Sequence, residues 1–225
     1  MASRFQFRKG AITAGIEQIF PTPLLSRNLK IATPEFLARL KAEILEMEKN
    51  DRGVTVSNFG GWHSKTDLFE RKSETIAALR DAAFGVAAEM TYEQIKNRFP
   101  NCQVTVNLHG GSWANVSRPG DYNKVHNHPG AVWSGVFYVS LGTRDKEPAG
   151  NGCIEFVDPR PGNQNAFKVV VDPRPGQLMI FPAWLYHYVN PFRGTGERIS
   201  IAFNTTAEVN PATERATAQG NTASV

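Results

Sequence analysis

The sequence predicts an α+β fold in which two N-terminal helices support a jelly-roll or cupin-like core of short β-strands. In the first hundred residues, apolar side chains recur at helical spacing, whereas from Val104 onward they alternate with polar ones. Turns rich in proline and glycine separate these alternating runs at the even spacing typical of β-sandwiches and jelly rolls. Helices that precede an all-strand half are expected to pack against one side of a barrel-like core.

The length and composition fit one globular domain. The chain has 225 residues, of which 41% are hydrophobic and 20% are charged. We expect a helical support with a pocket loop over residues 1–100, a jelly-roll core that carries the chemistry over 101–206 and a polar tail over 207–225. Cys102 and Cys153 are too few for a disulfide framework and are expected to be reduced.

Charge and hydropathy exclude some partners. The formal net charge is +4, but lysine and arginine are scattered without a dense run, which favours a solvated surface over a nucleic-acid site. No apolar run approaches the length of a membrane span, and the first residues lack the apolar core of a secretory signal. We therefore expect a cytoplasmic protein that does not contact membranes.

Both helices have clear start signals. Thr33 is a good N-cap and Pro34 suits the first helical position, so a helix is predicted over residues 34–50. Ser73 caps a second apolar stripe, which predicts a helix to about Phe99, and Pro100 stops it.

A glycine-rich loop over residues 58–64 lies between the two helices and is expected to frame a pocket mouth. It carries Trp62, which looks exposed, and His63. We interpret His63 as a loop histidine with local hydrogen bonds, and contact with a substrate is the alternative.

The second half of the chain is predicted to be strands. His109 falls on the polar face of the first one and is expected to face solvent. The aromatic and β-branched content of residues 133–141 indicates a central strand. The predicted strands cover residues 104–109, 113–117, 133–141, 153–157, 167–171, 177–181, 185–189 and 198–204.

Three histidines in this half form a candidate metal site. His126 and His128 are two residues apart, so in an extended strand their side chains leave the same face and aim at one point. His187 follows a second strand-like run, Phe-Pro-Ala-Trp-Leu-Tyr, that could bring it across a sheet to meet them. Neutral imidazole is the commonest metal ligand in proteins, and three such donors on one side of an ion leave its other positions open.

A candidate anion site follows eleven residues after His187. In the run that begins at Arg198, alternation places Arg198, Ser200 and Ala202 on one face of a strand. A buried arginine, which stays charged, beside a hydroxyl group is well suited to hold a carboxylate.

These motifs together resemble the Fe(II)- and 2-oxoglutarate-dependent oxygenase superfamily, and more closely an uncharacterised branch of it. The resemblance lies in His-x-His-Pro, the strand Ser-Gly-Val-Phe-Tyr, the segment Phe-Pro-x-Trp-Leu-x-His and the ending Glu-Arg-Ile-Ser-Ile-Ala-Phe-Asn. It covers about residues 104–206, with weaker echoes in Phe20-Pro-Thr-Pro and Gly61-Trp-His-Ser. The fold it implies is the double-stranded β-helix, a variant of the jelly roll.

The resemblance also implies the metal ligands. It makes His126 the first ligand of Fe(II), His187 the distal ligand, and His128 the occupant of the position where the superfamily usually has aspartate or glutamate. Three explanations of that departure stay open: His128 binds the metal directly, a nearby acid replaces it, or it lies outside the ligand set. The candidate acids are Asp121, Glu155 and Asp158.

The cosubstrate site follows from the same resemblance. Arg198, helped by Ser200, would pair with the far carboxylate of 2-oxoglutarate. Tyr138 could add a hydrogen bond to the same molecule, and the equally favoured interpretation is that it is a core or cross-strand tyrosine. With O₂, the implied reaction decarboxylates 2-oxoglutarate to succinate and CO₂ and hydroxylates a C–H bond of a small-molecule or peptide substrate.

Two other functions fit the same residues. A cupin-like three-histidine dioxygenase would bind its organic substrate directly and ignore 2-oxoglutarate. A jelly-roll binding module would use the histidines structurally or for a closed, four-coordinate zinc site. The loops over residues 58–64 and 142–152 are the segments expected to select a substrate.

Overall fold

The computed structural model describes residues 21–99, 103–160 and 168–211. Pro100, Cys102, Phe167 and the part of the predicted tail beyond Pro211 lie outside these ranges, as do residues 1–20. Within them the chain is mostly β-structure with two α-helices, α1 and α2. The elements are β1 (Leu25–Asn28), α1 (Pro34–Asn50), β2 (Asn58–Phe59), β3 (Trp62–His63), α2 (Glu74–Ile95), β4 (Val104–His109), β5 (Ser112–Ser117), β6 (Tyr122–His126), β7 (Trp133–Arg144), β8 (Ile154–Val157), β9 (Lys168–Val171), β10 (Gln177–Pro182), β11 (His187–Val189) and β12 (Gly194–Pro211).

The helices begin where their caps predict. The Thr33 hydroxyl accepts a hydrogen bond from the backbone N–H of Phe36 at 3.2 Å, and the Ser73 hydroxyl accepts one from Ile76 at 3.2 Å. α1 has the predicted bounds, whereas α2 ends at Ile95 and continues as a short 3₁₀ turn, Lys96–Arg98.

The strands form two antiparallel sheets. The seven-stranded sheet has the order β1-β10-β7-β12-β5-β3, with β4 paired to a further part of β12. The five-stranded sheet has the order β2-β6-β11-β8-β9. The predicted central strand is confirmed, because β7 lies between β10 and β12.

The seven-stranded sheet is covered on both faces. On one face it packs against the helices through a cluster that includes Leu40 of α1, Leu79 of α2 and Ile201 of β12. On the other face a smaller cluster, with Tyr138 of β7 and Phe156 of β8, joins the two sheets. The space between the sheets is therefore lined partly by apolar side chains and partly by the polar residues described below.

The end of β12 and the loop over residues 58–64 are among the segments that differ from the sequence-based expectation. β12 continues to Pro211 instead of ending near Asn204, because Thr206–Pro211 pairs with His109–Val104 of β4. In the predicted loop over residues 58–64, Trp62 is buried, since its indole N–H reaches the Asp51 carbonyl at 2.8 Å.

His109 is exposed on β4, as predicted. Across residues 21–99, 103–160 and 168–211, none of the helices is both long and apolar enough to span a membrane.

Candidate metal and cosubstrate site

The structure brings the three histidines together. His126, the last residue of β6, pairs directly with His187, the first residue of β11, across the five-stranded sheet. His128 lies two residues beyond β6, and its backbone N–H donates to the Ala183 carbonyl at 2.8 Å. One potential ligand atom from each imidazole lies within 4.8 Å of those of the other two.

Backbone carbonyls orient two of the rings. The Nδ1 atom of His126 lies 2.6 Å from the Lys124 carbonyl, and Nδ1 of His187 lies 2.9 Å from the Leu185 carbonyl. Because a carbonyl only accepts, each Nδ1 carries the proton and each Nε2 keeps a free lone pair. This is the arrangement that orients metal-binding histidines in proteins.

Burial keeps the cluster neutral. It lowers the pKa of His187 to about 3 and that of His128 to about 4, and it lowers the pKa of His126 as well. At neutral pH all three imidazoles are therefore uncharged, which is the form that binds metals.

The candidate acids are engaged elsewhere. An Asp121 carboxylate oxygen accepts from the backbone N–H of Arg118 at 2.7 Å, and Glu155 bonds to Tyr188 and Asn190. Asp158 binds the Arg160 guanidinium at 2.6 and 2.8 Å.

Over the part of the chain that the structure describes, the metal-binding cluster contains the three histidines and no carboxylate. Three neutral nitrogen donors on one side of an ion fit iron, and they fit several other transition metals too.

Arg198 is buried in the same cavity. Arg198 is only 2% exposed, and its guanidinium carbon lies 5.4 Å from the centre of the Tyr138 ring. Nε donates to the Gly152 carbonyl at 3.2 Å, and no carboxylate of the described residues forms an ion pair with it. Burial lowers the pKa of Arg198, yet a guanidinium stays charged in proteins. The residue is a buried cation without a counter-ion among the described side chains.

Three polar side chains form a row across the seven-stranded sheet next to Arg198. Ser200 of β12 pairs with Asn115 of β5 on one side and with Tyr138 of β7 on the other. The Tyr138 hydroxyl and the Asn115 Oδ1 atom are buried and have no hydrogen-bond partner among the described residues. Burial raises the pKa of Tyr138 to about 12, so its hydroxyl is a neutral donor.

One cavity connects all of these groups. The three histidines, Arg198, Ser200 and Tyr138 all line it, whereas the candidate acids do not, and sequence reasoning missed Asn115 and Trp113 of β5. The full lining is Ser57, Trp113, Asn115, Asn123, His126, His128, Ser134, Gly135, Val136, Tyr138, Ile154, Phe181, His187, Val189, Arg198, Ser200 and Ala202. It contains a cluster of neutral metal donors at one place, a lone cation at another, and no acidic residue.

Such a cavity between two sheets has the donors to hold a metal ion and, beside it, the cation to hold a carboxylate. Residues 111–204 match the protein family described as "Putative 2OG-Fe(II) oxygenase". No curated protein sequence matches the chain.

Several solved structures share the fold. A Pseudomonas putida prolyl-4-hydroxylase aligns with a TM-score of 0.55 and 16% identity over 81% of this chain and 91% of its own. A prolyl hydroxylase from Trichoplax adhaerens, in complex with a hypoxia inducible factor peptide fragment, gives 0.57 and 16% over 81% and 83%. The epimerase SnoN, in complex with Fe3+, alpha ketoglutarate and nogalamycin RO, gives 0.59 and 14% over 81% and 78%.

Residues 111–204 of the chain are therefore similar to 2OG-Fe(II) oxygenases, and the fold is the one that these solved structures share. The resemblance to this family that the sequence motifs predicted is confirmed by the family match over residues 111–204.

Proposed function

We propose that this oxygenase hydroxylates a C–H bond of an organic substrate, with His126, His128 and His187 as the iron ligands and Arg198 as the anchor of 2-oxoglutarate. The observation that carries the proposal is the buried guanidinium of Arg198, which has no carboxylate partner among the described residues and faces the cavity of the three imidazoles. A buried charge is stable only when it is paired, so the site requires an anion.

Different residues of the chain position 2-oxoglutarate and the iron. Arg198 pairs with the far carboxylate of 2-oxoglutarate, and the hydroxyls of Ser200 and Tyr138 donate hydrogen bonds to it. The three imidazoles would hold the iron, those of His126 and His187 through their unprotonated Nε2 atoms. Fe(II) with 2-oxoglutarate and O₂ supplies the oxidising chemistry and leaves succinate and CO₂ as coproducts.

The apolar part of the cavity limits access of water to the reacting groups. Ile154, Phe181 and Val136 line it between the two sheets, and Phe181 packs against the His187 ring with 4.8 Å between ring centres. A dry site strengthens the electrostatic hold on the cosubstrate and suppresses side reactions of the oxidant.

The finer fold assignment is part of the proposal. From β5 to β12 the chain distributes eight strands over the two sheets, four in each, in the orders β5-β12-β7-β10 and β6-β11-β8-β9. This arrangement supports a double-stranded β-helix as the core of a single domain.

The substrate is proposed to be a small molecule or a peptide, in line with the peptide and the nogalamycin bound by two of the structural neighbours. The cytoplasmic location expected from the sequence stays a prediction.

The proposal is tested by anaerobic titration of the Fe(II)-loaded protein with 2-oxoglutarate, monitored by the visible charge-transfer absorption of a bidentate keto-acid complex. We expect a saturable band in the wild type, a large loss of affinity in Arg198→Met and no iron binding in His126→Ala. Bound iron without any band would favour the cupin-like dioxygenase. A metal bound in a closed, four-coordinate site that tolerates Arg198→Met would favour the binding module.

A further inference from the structure

Two aromatic side chains outside the three-histidine cluster stand behind His128. The Trp113 ring packs against the His128 imidazole with 5.8 Å between centres and an angle of 51°. On its other side Trp113 stacks almost parallel to His63, at 5.5 Å and 12°. The three rings form a continuous series that ends at the proposed metal site.

His128 differs from the other two ligands in what orients its ring. His126 and His187 each have Nδ1 held by a backbone carbonyl. Neither ring nitrogen of His128 bonds to any group in residues 21–99, 103–160 or 168–211, so ring packing is the contact that remains to fix it. A ligand whose ring is free to rotate loses entropy when it binds a metal, which lowers the affinity.

We propose that Trp113 is a positioning residue that fixes the imidazole of His128, and that His63 fixes Trp113 in turn. The inference rests on the proposed function, because it takes His128 as an iron ligand. It gives a role to His63, which the sequence singled out and which takes no part in holding iron or cosubstrate.

His63, the ring of this series that lies farthest from the metal site, is held rigidly. His63 is 3% exposed, and its Nδ1 lies 2.6 Å from the Ser64 carbonyl. The short strand β3 attaches it to β5 through the pair His63 and Asn115. The Ser64 hydroxyl also accepts from the backbone N–H of Ala114 at 3.0 Å, next to Trp113 in the chain. The His63 ring is thus held by the same sheet that carries Trp113, and it limits the rotamers open to the indole.

Ring packing that fixes the orientation of an imidazole suits His128, which stands where the resembling oxygenases usually have a carboxylate. A carboxylate can bind a metal through either oxygen, whereas a neutral imidazole offers a single unprotonated nitrogen, in the plane of its ring. The orientation of the ring therefore matters more at His128 than it would for aspartate.

A double-mutant cycle on Co(II) affinity, measured calorimetrically without 2-oxoglutarate, tests the proposal. Trp113→Leu should weaken Co(II) binding about tenfold, and Trp113→Phe, which keeps an aromatic ring, should stay within about threefold of the wild type. In the His128→Ala background, Trp113→Leu should change the affinity by less than about twofold, because the indole acts through His128. The visible spectrum of Co(II)-loaded Trp113→Leu should also move toward that of His128→Ala.

His63 supplies a second perturbation that does not touch the metal ligands. His63→Leu removes the stacked ring and should weaken Co(II) binding about threefold, whereas His63→Phe should restore it. His109→Leu is the matched control, since His109 is exposed on β4 and should leave the affinity unchanged. Thermal unfolding of each metal-free variant verifies that it is folded.

Three outcomes would overturn the proposal. Wild-type affinity for Co(II) in folded Trp113→Leu would show that the indole has no positioning effect. An equal loss in the wild-type and His128→Ala backgrounds would show that Trp113 acts without His128. If His128→Ala itself binds Co(II) normally, the proposed ligand set fails first, and the cycle thereby distinguishes that failure from a failure of the positioning role.

Discussion

Replacing Arg198 by methionine should stabilise the protein in the absence of 2-oxoglutarate while it destroys the cosubstrate site. The guanidinium is 2% exposed, and its one protein hydrogen bond among the described residues goes to the Gly152 carbonyl at 3.2 Å. Methionine has a similar length and no charge, so it fills the same space without the cost of a buried ion.

The size of the effect follows from two opposing contributions. The penalty of burying one ion is several kcal/mol, and replacement of buried ionic groups by apolar residues of similar volume stabilises proteins by about 1–4 kcal/mol. The Gly152 carbonyl loses its donor, which costs about 1 kcal/mol. A net gain of roughly 2 kcal/mol in the free energy of unfolding corresponds to a rise in Tm of about 4–8 °C for a chain of this size.

The assay is thermal unfolding followed by circular dichroism in buffer without 2-oxoglutarate. Arg144→Met is the matched control, because the Arg144 and Arg198 side chains both lie close to Gly152, but Arg144 pairs with Asp172 at 2.6 Å. Loss of that pair should lower the free energy of unfolding by about 1 kcal/mol or less. If Arg198→Met lowers Tm as Arg144→Met does, the Arg198 guanidinium is paired in the native protein and the argument for an anion site is refuted.

Three further changes have distinct expected outcomes. Tyr138→Phe removes a buried hydroxyl that lacks a partner among the described residues. In thermal unfolding it should therefore raise the stability of the cosubstrate-free protein by about 1 kcal/mol. In anaerobic titration it should weaken 2-oxoglutarate binding about fivefold to tenfold. His128→Asp should retain Fe(II) binding in calorimetry, because a carboxylate adds attraction to a dication, whereas His128→Ala should weaken it by about tenfold or more. Thr91→Val takes the acceptor from the Trp133 indole N–H, now at 2.8 Å, so urea unfolding should show a loss of about 2 kcal/mol with unchanged metal affinity.

The parts of the structure that the sequence predicted well depend on local signals. Thr33 and Ser73 accept hydrogen bonds from residues three positions later, and such caps are readable from the residues alone. The two-residue spacing of His126 and His128 is equally local. The placement of His187 beside them depended on the resemblance to known oxygenases, because spacing along the chain does not specify a pairing between distant strands.

The features that the sequence did not predict depend on contacts between distant segments. Five of the six residues of β5 are buried, so alternation of polar and apolar residues gave no sign that Trp113 and Asn115 face the cavity. The end of β12 is polar and reads as a tail, but β4, about a hundred residues earlier, supplies its hydrogen-bond partners. Trp62 looked exposed because the sequence does not show the contact that holds it in the buried position, the hydrogen bond from its indole N–H to the Asp51 carbonyl.

The charges in the cavity couple the binding of metal to that of cosubstrate. Its lining contributes one positive charge, that of Arg198, and no carboxylate, and the three imidazoles are neutral. In the proposed site Fe(II) would meet no opposite charge from the protein, whereas the oxygenases that the sequence resembles usually supply one aspartate or glutamate. In the proposed site, one carboxylate of 2-oxoglutarate would offset half of the iron charge and the other would pair with Arg198, so each ligand would stabilise the binding of the other. By linkage the two affinities must rise by the same factor, and that factor should be larger here than in a site whose own carboxylate already balances part of the metal charge.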